Sequence, residues 1–412
     1  MRPAPFYGWV VVGAAFSVLF MAYGAQFSFG VFFSALIEEF GWSRGALSGA
    51  FALYAFGYSA LAAVSGRLTD RWGPRAVIAT GGVFLGAGWI AMSATSAVWH
   101  PYVFYGVVAA LGMSTANVPC GATVSRWFVR RRGLATGVAT AGGSFGAFAF
   151  PPIAQLIVSR MGWRWAYVAF GVALLVTLNL LAPLMKRDPE RLGLTPDGDP
   201  PEDVHAAALE RGRDFTLAQA MRTRAFWVLF ALFSATWFSI FTPVVHLVPL
   251  ARGLGIDPLV ATTLVSAIGM AGIFGRLVMG SLSDRIGRRP AIGVGLVLQI
   301  AAFLGFAAAG ALPGLYAASV AFGFSYGAVA ALFPAMVADF FGRKHAGGLV
   351  GLLFATAGSL AACGPLGAGF IYDRTGSYGP AWVGSAALNV VALGLLAWAR
   401  PPRRLELSLK EA

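Results

Sequence analysis

The chain predicts an all-α membrane protein with twelve transmembrane helices in two six-helix halves. Three observations lead there. Hydrophobic residues fill 58% of the 412 positions, only 11% are charged, and mean hydropathy is +0.72; a soluble protein would be roughly a quarter charged. Twelve apolar runs each reach the length that spans a bilayer core, about 20 residues. A charged motif also occurs twice: Gly66 to Arg75 reads GRLTDRWGPR, and Gly280 to Arg289 reads GSLSDRIGRR, 214 positions later. Two copies at matching places mark a tandem duplication of a membrane bundle.

The spans follow in order. Span 1 (8–37) has no small-residue cleavage site, so it reads as a retained span and not a signal peptide. Spans 2 (45–66) and 3 (76–97) flank the first motif copy. Span 4 (101–125) ends before a basic cluster. Span 5 (133–159) opens on a ladder of small residues, Gly133, Gly137 and Ala141, and span 6 (162–185) ends at Lys186. Spans 7 (225–251), 8 (258–282) and 9 (290–310) repeat the arrangement around the second copy. Spans 10 (312–338), 11 (346–371) and 12 (379–399) complete it. Span 11 carries Gly347, Gly351 and Ala355, again offset by 214. Such ladders let helices approach closely, and these are expected where the halves touch. Between the halves, the polar stretch from Lys186 to Arg224 holds a Pro/Asp-rich segment, Thr195–Asp203, and an amphipathic helix around Phe215–Arg222. The expected organisation is a bundle over 1–185, a cytoplasmic linker over 186–224, a second bundle over 225–399 and a tail over 400–412.

A net charge of +13 would suggest nucleic acid as the partner of a soluble protein. Here membrane topology explains it, and no nucleic-acid partner is expected. With the N-terminus inside, the loops on that side collect 24 of the 30 Lys and Arg residues; Arg44, Arg160, Arg164, Arg252 and Arg374 lie opposite. This bias places both termini in the cytoplasm. One basic residue belongs to no loop: Arg276, inside span 8. The two cysteines fall in apolar runs, with no CxxC or metal pattern. HExxH and paired membrane carboxylates are missing, so neither enzyme chemistry nor a cofactor is expected.

Both motif copies resemble the loop signature of the major facilitator superfamily, found between helices 2 and 3 and between 8 and 9. The resemblance implies that Asp70, Arg71, Asp284 and Arg285 stabilise a gate when the protein faces outward, without touching substrate. Trp127 to Gly146, an aromatic pair, three arginines, Leu-Ala and stepped Gly and Ala residues, is similar to the stretch entering helix 5 of monocarboxylate transporters. Tyr7-Gly8-Trp9 resembles the end of that family's first signature. Bacterial monocarboxylate transporters and oxalate/formate exchangers are the branch implied.

Arg276 is the expected anion site. An intramembrane arginine is costly unless it faces a wet cavity or a partner, and its guanidinium offers a two-pronged match to one carboxylate. Snorkelling toward the cytoplasmic surface is the competing reading. Monocarboxylate transporters also carry an Arg in helix 8. Oxalate exchangers carry a second basic residue in helix 11, and span 11 has none between His345 and Arg374, which argues against a dicarboxylate. Asn117 in span 4 and Tyr326 in span 10 are candidate hydrogen-bonding groups for the substrate. Tyr23, Gln26, Phe27 and Phe29 are candidate cavity wall in span 1. His246, flanked by Pro243 and Pro249, is the proton-coupling candidate. Animal members place a Lys in helix 1 and an Asp one turn before the helix 8 Arg; Phe27 and Gly272 stand there instead. The expected function is proton-coupled symport of a small monocarboxylate, lactate- or pyruvate-like, across a bacterial inner membrane by a protein sufficient as a monomer. The alternatives are an organic-anion exchanger or exporter and, more remotely, a transporter-like nutrient sensor.

Overall fold

A computed structural model describes residues 6–129, 131–198, 215–342 and 346–402, and among them there is no strand. Twelve helices are long and apolar enough to cross a membrane: Gly8–Phe40, Arg44–Trp72, Pro74–Met92, Trp99–Trp127, Gly133–Met161, Trp163–Leu184, Arg224–Gly253, Pro258–Ile286, Arg288–Ala308, Leu312–Phe341, Gly348–Thr375 and Gly379–Trp398, here spans 1 to 12. Of the linker expected over 186–224, residues 199–214 lie outside the described residues, as does the part of the tail beyond 402. The stretch before span 7 forms a short helix, Leu217–Met221, closed by a capping box between Thr216 and Gln219.

The repeated motif differs from the expected charged loop. Span 2 stays helical through Trp72 and span 8 through Ile286, so most of each copy is the last two turns of a helix. The turn is one residue long. Gly73 (φ 84°, ψ 160°) and Gly287 (φ 91°, ψ 156°) adopt a conformation that a Cβ would strain, and each leads straight into the next span. Charged side chains do not end a helix by themselves; the glycine does.

Spans 1 and 7 are both broken in mid-membrane. Span 1 consists of Gly8–Phe27 and Phe29–Phe40. Span 7 consists of Arg224–Phe238 and Thr242–Gly253. Ser28 and Thr242, at the two breaks, are again 214 positions apart. Matching interruptions in the two halves of a duplicated transporter point to the binding region between them.

The halves meet through spans 5 and 8, through spans 2 and 11, and where the second segments of spans 1 and 7 cross. At that crossing a Cβ on Gly30 would lie 2.8 Å from the carbonyl oxygen of Val244, its counterpart in the duplication. The contact sits at the end opposite the termini, where polar contacts also bridge the halves. Arg252 pairs with Glu38 at 2.7 Å, and Asp373 accepts from the backbone N–H of Arg44 (2.9 Å) and Gly45 (2.7 Å). The end that carries the termini differs. There the ion pairs among the described residues each stay within one half, and Gly133, Gly137 and Gly351 have nothing within 4 Å of a Cβ position. Of the small-residue ladders expected at the contact between halves, Gly133, Gly137 and Gly351 therefore stand clear of any neighbour in this arrangement. Among the described residues the molecule is closed at the far end and open at the end of the termini.

Candidate functional site

Span 8 brings Arg276 to the seam because glycines hold its neighbour against the helix backbone. A Cβ on Gly275 would lie 2.0 Å from the Phe324 carbonyl oxygen, and one on Gly327 would lie 2.0 Å from that of Gly272. Spans 8 and 10 thus pack backbone to backbone, and Arg276 projects toward the opposite half. Its Nη1 donates to Ser144 Oγ of span 5 and lies 3.5 Å from the Thr140 carbonyl oxygen. The guanidinium carbon is 5.8 Å from the centroid of the Tyr326 ring, within cation–π range. The side chain is partly buried, and no carboxylate pairs with it among the described residues. Its partners are all neutral. The position one turn earlier, Gly272, leaves room: a Cβ there would lie 3.4 Å from Ser144 Oγ and 3.9 Å from the Tyr326 ring. Ser144 stands where an acidic partner on span 8 would otherwise reach.

Around this centre, the Tyr326 ring lies 6.5 Å from Phe27 and 6.5 Å from Phe322. Tyr23 is close enough to interact electrostatically with Arg276, Tyr326 and Tyr58. The structure thus joins Arg276 and Tyr326, with Tyr23 and Phe27 of span 1 in support. Asn117 begins the inner segment of span 4, is exposed, and makes no hydrogen bond among the described residues. Phe29 lies elsewhere. It is fully buried in the aromatic packing of the first half, 4.8 Å from Tyr105 and 5.0 Å from Phe51, because it opens the second segment of span 1 beyond the break. Sequence reasoning missed Ser144 and Tyr58. A serine in a run of small residues and a tyrosine in span 2 both read as ordinary helix packing.

His246 lies in the closed far end, not beside Arg276. It is fully buried, and both ring nitrogens are engaged. Nε2 lies 2.8 Å from the Pro365 carbonyl oxygen, which can only accept, so Nε2 carries the proton. Nδ1 then accepts from the Tyr378 hydroxyl at 3.0 Å. Ser48 Oγ of span 2 is 3.3 Å from Nε2, which ties the ring to the other half. Tyr378 in turn accepts from the Arg44 guanidinium, which also lies 3.9 Å over the Tyr372 ring. Burial raises the pKa of the Tyr378 phenol, so it stays a donor.

The motif residues lie at the open end. Asp70 accepts from Arg126 of span 4 at 2.6 Å, and Arg126 also reaches Asp188. Asp284 pairs with Arg288 at 2.7 Å, and Arg288 reaches Asp339. Arg71 and Arg285 are exposed and have no ion pair among the described residues. In this conformation the motif therefore ties helices together within each half. Gly66 approaches Val118 of span 4, whereas Gly280 has nothing within 4 Å of a Cβ position.

A broken, duplicated twelve-helix bundle with an unpaired cation at its seam defines a class of membrane carriers. The sequence profile of the Major Facilitator Superfamily matches residues 15–276 and 238–412, and the chain belongs to that superfamily. Within it the chain is monocarboxylate-transporter-like. It is 33% identical over 399 residues to Monocarboxylate transporter 11 of Homo sapiens, covering 93% of this chain and 80% of that protein. It is 29% identical to Monocarboxylate transporter 13 of Bos taurus, covering 95% and 88%. Among solved structures, a bacterial homolog of the human lysosomal transporter Spinster, inward-facing and occupied, superposes with a TM-score of 0.73 at 15% identity, covering 96% of this chain and 97% of that one. The nucleoside transporter NupG gives 0.72 at 12% identity, covering 94% and 99%. These two share the fold.

Proposed function

We propose that the protein is a secondary active transporter of a small monocarboxylate, lactate- or pyruvate-like. It carries the anion with a proton across a bacterial inner membrane by alternating access, with both termini cytoplasmic and the halves 1–185 and 225–399 rocking about the seam. One observation carries the reading: Arg276 sits within a span, held only by neutral groups, with no acidic partner among the described residues. A guanidinium in that state is completed by a single carboxylate. Tyr326 and the unbonded Asn117 are assigned to the substrate, and Phe29 to packing. His246 is assigned the proton. It is neutral while the far end is shut, and a proton on Nδ1 would displace the Tyr378 hydrogen bond, so protonation belongs to the state in which that end is open. The motif residues Asp70, Arg71, Asp284 and Arg285 serve the gate at the open end. Exchange of organic anions is the second reading, favoured by Gly272: with no acidic residue there, a bound anion is itself what neutralises Arg276.

Uptake of labelled lactate into proteoliposomes tests this. An inward proton gradient accelerates uptake, and Arg276→Ala lowers kcat/KM by about 100-fold, as loss of one member of a desolvated charge pair does. Full activity in the variant overturns the anion site. Uptake that ignores the gradient and requires an internal anion replaces symport with exchange.

A further inference from the structure

Gln26 ends the first segment of span 1, two residues before the break at Ser28. It is fully buried, and neither its Nε2 nor its Oε1 has a hydrogen-bond partner. Among the described residues it is the buried side chain that leaves both atoms of an amide unsatisfied. Buried amides without partners are unfavourable and rare, so the position calls for a ligand. Its surroundings say which. Tyr23 lies one turn earlier on the same helix face. The Gln26 amide abuts the Tyr58 hydroxyl of span 2, although neither amide atom reaches hydrogen-bonding geometry. Tyr58 is itself near Tyr326, and Tyr23 near Arg276. Span 1 runs from the open end and span 8 runs toward it, which places Gln26 nearer the closed end than Arg276. An acid held by its carboxylate on Arg276 would direct its remaining atoms toward Gln26 and Tyr58.

We infer that Gln26, with Tyr58 beside it, is a specificity-determining residue that hydrogen-bonds a second oxygen of the substrate, on the carbon next to the carboxylate. The amide suits both forms of that oxygen: its NH₂ donates to a keto group, and its carbonyl accepts from a hydroxyl. The inference rests on the monocarboxylate reading. It adds the residue that reads the 2-hydroxy or 2-oxo group of such acids and so sets their preference over bare short-chain acids.

Competitive uptake of labelled lactate and propionate into proteoliposomes tests it, with wild type, Gln26→Leu and Arg276→Ala in parallel, and thermal unfolding of the purified proteins as a second readout. Wild type prefers lactate, and Gln26→Leu cuts the lactate-to-propionate ratio about tenfold, the scale of one net hydrogen bond. Tm does not fall, because an apolar side chain of similar shape replaces an unsatisfied amide. An unchanged ratio in Gln26→Leu, while Arg276→Ala abolishes uptake of both acids, overturns the role of Gln26 alone. A lower Tm with proportionate loss of both acids makes Gln26 a packing residue and also overturns it. If wild type carries neither acid, the monocarboxylate reading fails; if Arg276→Ala carries both normally, the anion site fails; this inference fails with either.

Discussion

Removing the carboxylate of Asp373 should loosen the closed far end by a predictable amount. Asp373, on span 11, accepts from the backbone N–H of Arg44 at 2.9 Å and of Gly45 at 2.7 Å, so a side chain of one half caps the first turn of a helix in the other. A hydrogen bond to a charged group is worth about 1.5–3 kcal/mol when sheltered, but Asp373 is exposed and screening reduces that to about 1 kcal/mol for the pair. The favourable charge at a helix N-terminus adds roughly 0.3–1 kcal/mol. The sum, about 1.5 kcal/mol, corresponds to about a tenfold change in the ratio of closed to open molecules. Val244 is buried at the crossing of spans 1 and 7, and a cysteine there reports opening. The exposed Cys363 is first replaced by Ala; Cys120 is buried. Labelling of Val244→Cys by a membrane-impermeant maleimide should then run about tenfold faster with Asp373→Ala, and Asp373→Asn should fall between. A rate within twofold of the parent would refute the assignment of this contact to the lock.

Two other substitutions probe the seam. Gly30→Ala sets a methyl 2.8 Å from the Val244 carbonyl oxygen, so the far end cannot seal; the same cysteine should label faster and the maximal uptake rate should drop several-fold, whereas unchanged labelling would contradict the crossing. Gly272→Asp fits without a backbone clash and sets a carboxylate near Arg276. The ion pair competes with substrate, so KM for lactate rises, whereas Gly272→Asn, which brings no charge, leaves it near the parent value. A KM in the Asp variant equal to that of Gly272→Asn would count against this.

The helices and their duplication were legible because hydropathy and a repeated charged motif survive in one dimension. The isolation of Arg276 was legible too, since a basic residue that fits no loop is conspicuous in so apolar a chain. The two family signatures meet in space: Trp9 lies 5.0 Å from Phe128, and Tyr7 lies 5.4 Å from Trp127. Gly8 sits between them, where a Cβ would come 2.9 Å from Phe128. The sequence could not show the neighbours of Arg276, because Ser144 reaches it only through the crossing of spans 5 and 8. Nor could it show that Phe29 belongs to the far end, or that His246 there meets Tyr378 and Pro365. Span 1 looked continuous; the break at Ser28, whose hydroxyl bonds back to the Gly24 carbonyl oxygen, has no proline or charge to announce it and parts Gln26 from Phe29.

The arginine without an acidic partner also makes the carrier sensitive to the membrane potential. Empty, the seam holds one net positive charge; a bound monocarboxylate cancels it, and the proton assigned to His246 gives the loaded carrier the same net charge again. Reorientation of the empty protein moves that charge's access from one aqueous face to the other, and a charge crossing the whole field gains or loses about 2.3 kcal/mol per 100 mV. A polarised membrane, negative on the side of the termini, would therefore hold empty carriers in the arrangement seen here, open on that side. Loaded and empty carriers then move the same charge in opposite senses, so a complete symport cycle passes no steady current while voltage still sets which way the empty carrier faces.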